Sequence, residues 1–187
     1  MRSRPTRAFR PTRTRTWKSI TYVREGAITH KDSLGNEGRT EAGDVQVMSA
    51  GAGIRHAEYN LEQQPTRIFQ IWITPSSKGG SPAWGSQPFP TADRSGRFVT
   101  LASGFDNDND ALPIRARARV LGAALKVGET VEYVLGERRH GYLVPASGAV
   151  DVNGVRISAR DGAAIKDVGV VRITAIEDSE LIMVDAL

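Results

Sequence analysis

What most constrains the fold of this chain is a succession of short strand-like runs, each closed by turn chemistry, with no long helical pattern among them. Residues 20–24, 27–30, 45–48, 67–73 and 98–102 form a first group. The turn signals Asp32-Ser33-Leu34-Gly35-Asn36 and Ala42-Gly43-Asp44 stand between them. A second group begins near Ile114 and comprises residues 120–126, 130–135, 141–145, 149–152, 155–158, 163–166, 171–175 and 181–185. Val152-Asn153-Gly154-Val155 signals a hairpin, because Asn-Gly accepts the positive φ values of a type I′ turn. Many short strands at close spacing predict an all-β sandwich or barrel. Residues 76–92, rich in Gly, Ser and Pro, read as a long surface loop, and the acidic stretch 106–110 reads as a boundary between two domains.

An internal echo points the same way. Glu25-Gly26-Ala27-Ile28, followed by turns and Gly43-Asp44-Val45, resembles Ser147-Gly148-Ala149-Val150, followed by turns and Asp161-Gly162-Ala163. Copies about 120 residues apart fit two related barrels. A chain of 187 residues has the length for one or two small domains with a real core. Cysteine is absent, which removes disulfides and thiolate metal sites and suits a reducing cytoplasm. No apolar run approaches the roughly 18 residues needed to cross a bilayer, so no membrane partner is expected. The formal charge of +4 is a local matter: seven of the 25 basic residues fall in the first 18 positions, with no acid among them. The remainder carries 18 basic against 21 acidic residues, a net charge of −3, so no nucleic-acid partner is expected for the folded part.

The chemistry-bearing stretch runs from Gly43 to Asn60. A turn leads into an apolar alternation, then a loop loosened by Gly51 and Gly53, then His56 and Glu58. Side chains at i and i+2 of a strand share a face, so this spacing offers an imidazole and a carboxylate to one metal ion. The stretch resembles the pirin family of double-barrel cupins, together with Ile20-Thr21-Tyr22-Val23-Arg24-Glu25-Gly26, His30-Lys31-Asp32-Ser33-Leu34-Gly35-Asn36 and Ile68-Phe69-Gln70-Ile71-Trp72-Ile73. The resemblance implies two double-stranded β-helix (cupin) barrels in tandem, the first incomplete at its N-terminal edge. It divides the chain into an unmatched basic tail (1–18), an N-terminal domain (19–105) and a C-terminal domain (112–187). It also implies one divalent transition metal, iron first, with nickel, copper, manganese or zinc as alternatives.

In pirins the metal takes three His and one Glu. Two of the His come from a His-Pro-His segment before the Ile-Thr-Tyr-Val strand, and the other two ligands match His56 and Glu58. Counting back from Ile20 puts Thr12, Arg13 and Thr14 where His-Pro-His belongs. A neutral hydroxyl is a poor ligand, so two ligands of four remain and the metal is expected to be weakly held. The segment suggests an origin for the gap. Written as codons with C in every free third position and read from the third base of the Ala8 codon, residues 8–18 become Leu-Pro-Pro-His-Pro-His-Pro-His-Leu-Glu. Placed directly before Ser19, the first His-Pro-His falls on Thr12–Thr14. Residues ahead of Ser19 are thus expected to come from a shifted reading frame.

Three functions compete. The resemblance implies a dioxygenase of the quercetin 2,3-dioxygenase type, taking a small flavonol-like aromatic substrate, with Glu58 as ligand and proton acceptor and His56 as a neutral ligand. A regulatory module with a protein partner is the alternative, and a catalytically dead remnant the third. Ligand count discriminates them, four permitting the enzyme. Elsewhere His30 reads as a surface residue, His140 as part of an exposed hairpin, and Trp72 and Trp84 as core and loop packing. The C-terminal half holds no His-x-Glu or His-x-His and is expected to be metal-free and structural.

Overall fold

The computed structural model describes residues 12–14, 18–77, 79–136 and 138–187. Most of the basic tail lies outside the described residues. Among the described residues the chain is all-β apart from one 3-10 turn (Thr91–Arg94), and no helix is long and apolar enough to cross a membrane. It forms two compact units.

The first unit holds the described residues up to Phe89 together with Leu112–Ala116. Its strands are β1 (Thr12–Thr14), β2 (Lys18–Glu25), β3 (Ala27–Asp32), β4 (Glu37–Glu41), β5 (Val45–Ser49), β6 (Ile54–Tyr59), β7 (Arg67–Ile73) and β8 (Ala83–Gln87). They make two antiparallel sheets, ordered β1-β6-β3-β4 and β7-β2-β5-β8. The second unit holds β9 (Val99–Ser103), and the short β10 (Leu112–Pro113) returns to the first. The second unit then continues with β11 (Ala118–Leu125), β12 (Thr130–Val134), β13 (His140–Ser147), β14 (Ala149–Val152), β15 (Val155–Ser158), β16 (Ala163–Ile165), β17 (Val170–Ala175) and β18 (Ser179–Ala186). Its sheets run β9-β11-β18-β13-β16 and β12-β17-β14-β15. A continuous apolar core joins them, with Leu121, Leu143, Ile173, Leu181 and Met183 at its centre.

The echo seen in the sequence is a structural repeat. Gly26 links β2 to β3 at φ 72°, and Gly148 links β13 to β14 at φ 73°. Each turn needs the left-handed backbone that glycine alone adopts freely. Neither leaves room for a side chain: a Cβ at Gly148 would overlap Ser179, and one at Gly26 would lie 3.0 Å from Thr66 Oγ1. The Asn153-Gly154 hairpin has φ values of 50° and 88°, the type I′ geometry its sequence demands.

Two elements differ from expectation. Residues 76–92 are not one loop, because β8 lies within them and the 3-10 turn begins at Thr91. Pro82 and Pro88 flank β8 without interrupting it, and its Gly85 lies over Leu112. The sequence reading also passed over β4, a strand with no large apolar residue. Its inward positions are Gly38 and Thr40, and Gly38 has no side chain because the Trp84 ring occupies that space.

Candidate functional site

The site begins with the loop before β6. Gly51 and Gly53 adopt φ 52° and 130°. A Cβ on Gly51 would overlap the backbone of Gly80, whose carbonyl accepts the Ala52 N–H at 2.9 Å. This close approach delivers the chain into β6, where His56 and Glu58 lie on one face, two residues apart. Across the ladder, His30 of β3 pairs with Glu58, and Asp32 pairs with His56. Four titratable side chains therefore share one face of the sheet.

The opposite sheet completes the surroundings of Glu58. Gln46 of β5 donates from Nε2 to Glu58 Oε1 at 2.5 Å, and Gln70 of β7 donates from Nε2 to Oε2 at 3.2 Å. Thr21 of β2, paired with both glutamines in the sheet, adds a hydroxyl donor. Glu58 is 7% exposed, and burial pushes its carboxyl above the ordinary value despite these three donors. Gln46 is fixed in turn, since its Oε1 accepts Thr40 Oγ1 at 3.2 Å and Trp84 Nε1 at 3.3 Å.

His30 corrects the surface reading: it is fully buried. Its ring stacks on Trp84 at 5.0 Å on one side and on His56 at 5.7 Å on the other. Its Nε2 lies 3.2 Å from Asp32 Oδ2. Burial lowers the pKa of both imidazoles, and at His56 the neighbouring His30 adds to the effect. Both rings are accordingly neutral at neutral pH, the form in which imidazole ligates. The Nδ1 atoms of His30 and His56 are buried without a hydrogen-bond partner among the described residues.

Trp84, expected as loop packing, stands on β8 against Met48, Ala50 and Ile54. Trp72, expected in the core, is 59% exposed. The register explains this. Trp72 follows Gln70 on the face of β7 that looks toward Glu58, and that side of the site opens to solvent. His140 is exposed at the start of β13.

His56 and Glu58 are a nitrogen and an oxygen donor on one face, as imidazole–carboxylate centres require. Among the described residues no group of three or more His, Asp and Glu has metal-holding spacing. The backbone register sets Thr12 opposite His56 and Thr14 opposite Ile54. Positions 12 and 14 are thereby on the strand beside β6.

Comparison with known proteins bears on this geometry. The Pirin family model matches residues 4–73, and the model of the quercetinase C-terminal cupin domain matches residues 100–186. The first match starts ahead of Ser19, so the likeness runs further into the basic tail than the sequence reading placed it. A pirin-like protein of Caulobacter vibrioides is 73% identical over 167 residues, covering 89% of this chain and 72% of that protein. The quercetin 2,3-dioxygenase of Escherichia coli K12 is 36% identical over 168 residues, covering 89% of this chain and 71% of the enzyme. The crystal structure of the bacterial pirin YhhW from Escherichia coli in complex with nickel(II) superposes with a TM-score of 0.88 at 32% identity, covering 96% of this chain and 76% of that one.

Proposed function

The chain belongs to the pirin family of quercetinase-like cupins, and from that premise we propose that it is a metal-dependent dioxygenase acting on flavonols, impaired in this sequence by the residues at positions 12 and 14. The observation that carries the reading is Glu58: a buried carboxylate beside His56, held by Gln46, Gln70 and Thr21. A buried acid is costly unless it is fully hydrogen-bonded, and this arrangement meets that need while leaving it next to an imidazole.

His56 and Glu58 are the residues that would hold the metal; that a divalent metal is held at all is supported by the nickel(II) complex of the related pirin. Such an ion supplies Lewis acidity toward the enolate oxygen of a flavonol. Glu58, raised in pKa by burial, accepts the phenolic proton as the substrate ionises. Gln46 and Gln70 keep its two oxygens in place during that transfer. His56 stays neutral and is oriented by its stack on His30. A regulatory, partner-binding role is the second reading, favoured by the missing donors at positions 12 and 14.

The test restores those donors. The chain with Thr12→His, Arg13→Pro and Thr14→His is expected to retain about one metal per chain after dialysis, where the unaltered chain retains much less, by elemental analysis. It should then consume quercetin and oxygen with added Fe(II), Ni(II), Cu(II) or Mn(II). In that background His56→Ala abolishes metal retention, whereas Glu58→Gln keeps part of it and loses about 10²-fold or more in rate. A metal-loaded but inactive restored chain would transfer the case to the regulatory reading.

A further inference from the structure

Large aromatic side chains are usually buried, and one that stays open beside a buried carboxylate calls for a reason. Gln70 and Trp72 occupy alternate positions of β7 and share the face toward Glu58. Trp72 is 59% exposed, while Glu58, one hydrogen-bonded residue away, is 7% exposed. The indole is nevertheless held. Its Nε1 donates to Gln70 Oε1 at 3.0 Å, and the other end of the same amide donates to Glu58 at 3.2 Å. An indole N–H can only donate and a carboxylate only accept, so this chain of contacts fixes which way the Gln70 amide faces.

We propose that Trp72 is the recognition platform of this site for a flat polyphenolic ring, held ready by Gln70, which ties its indole to Glu58. The proposal rests on the flavonol reading above and names the residue that selects for it. Stacking a ring on a face held in place costs little ordering entropy on binding. A tether through Gln70 also places the stacked ring beside the carboxylate that takes its proton.

Quercetin, titrated calorimetrically into the full chain without oxygen, is the probe. Aromatic stacking is worth about 0.5–1.5 kcal/mol, roughly two- to tenfold in affinity. Trp72→Leu should weaken binding toward the upper end of that range, with a melting temperature within about 1 °C of the parent. Trp72→Phe, which keeps a face and loses the tether, and Gln70→Leu, which cuts the tether, should each weaken it about two- to threefold. The double change should be no worse than Gln70→Leu alone, because that substitution already removes the indole–amide bond. Parent-like quercetin binding by Trp72→Leu would overturn the proposal and leave the flavonol reading standing. A melt several degrees lower would assign the indole to packing and overturn it also. If the parent chain itself fails to bind quercetin the platform falls, and the flavonol reading falls with it only if the chain carrying Thr12→His, Arg13→Pro and Thr14→His fails as well.

Discussion

In the first unit Thr21 stands opposite Gln46 and Gln70, and His30 stands opposite Glu58. In the second, Leu143 stands opposite Ala163 and Met183, and Val152 opposite Ile173. These are the same places in the repeat. Thr21 and Leu143 precede Gly26 and Gly148 by five residues, and His30 and Val152 follow them by four. Five positions that are polar in one copy are apolar in the other, and the apolar set belongs to the core of its unit. The frame therefore does not require the site. The second copy shows the same strands holding an apolar core. The first buries polar groups that stability alone disfavours; Glu58 and Gln46 are held by hydrogen bonds, while Nδ1 of His30 and of His56 has no partner among the described residues.

The largest expected effect comes from forcing the second unit to resemble the first. Ile173→Glu places a carboxylate among Leu143, Val152 and Met183 with no donor to meet it. An unpaired buried charge costs about 3–5 kcal/mol, which for a chain of this size lowers the melting temperature by roughly 10 °C. Glu58→Gln in the first unit should move it less: its –NH2 faces one of the glutamine donors, but no unpaired charge is buried. If the two variants melted alike, the contrast between the units would be empty.

A smaller effect tests the wall of the site. Gly38→Ala puts a methyl group where the Trp84 ring lies, so the ring must shift and loosen its stack on His30. Overpacking of this kind costs about 1–3 kcal/mol. Gly169→Ala, where nothing lies within 4 Å of the new carbon, is the control and should be near neutral. A red shift of tryptophan emission confined to Gly38→Ala would sharpen the case; identical melts and spectra for both would break it.

The smallest effect is a pH dependence at the edge of the first unit. Lys18 is buried, with its ammonium on Ser49 Oγ, and Arg115 Nη2 meets the same oxygen at 3.1 Å. No carboxylate pairs with Lys18 among the described residues. Burial, and then repulsion from Arg115, lower its pKa from 10.5 to about 8. Between those two values the unfolded chain binds more protons than the folded one, so stability rises with pH from about 8 to 10.5 and is lowest below 8. Melting temperatures across that window should climb by a few degrees, and Lys18→Met should flatten the rise. A slope unchanged by the substitution would place its origin elsewhere.

How much of this was legible in the sequence follows from what each feature depends on. Strands β7, β14 and β15 have the bounds their apolar runs and the Asn153-Gly154 turn dictate, because strand and turn signals are local. Strand β4 was illegible because its inward residues are small, Gly38 giving way to the Trp84 ring, and β8 because Pro82, Gly85, Ser86 and Pro88 have a loop composition. His56 and Glu58 could be paired from their spacing. Gln46, Gln70 and Thr21 could not, since they reach Glu58 from the other sheet and nothing local marks them. His30 was misread for the same reason: flanked by Lys31 and Asp32 it has a surface composition, while its burial comes from Trp84, far along the chain.

Lys18 and Arg115 have a consequence at the level of the gene. Two cations sharing one hydroxyl form a place where selection for stability has a direction: an acid at position 18 gains, and a base there loses. A glutamate at position 18, which the shifted reading of residues 8–18 would write under the codon choices given above, is one such acid.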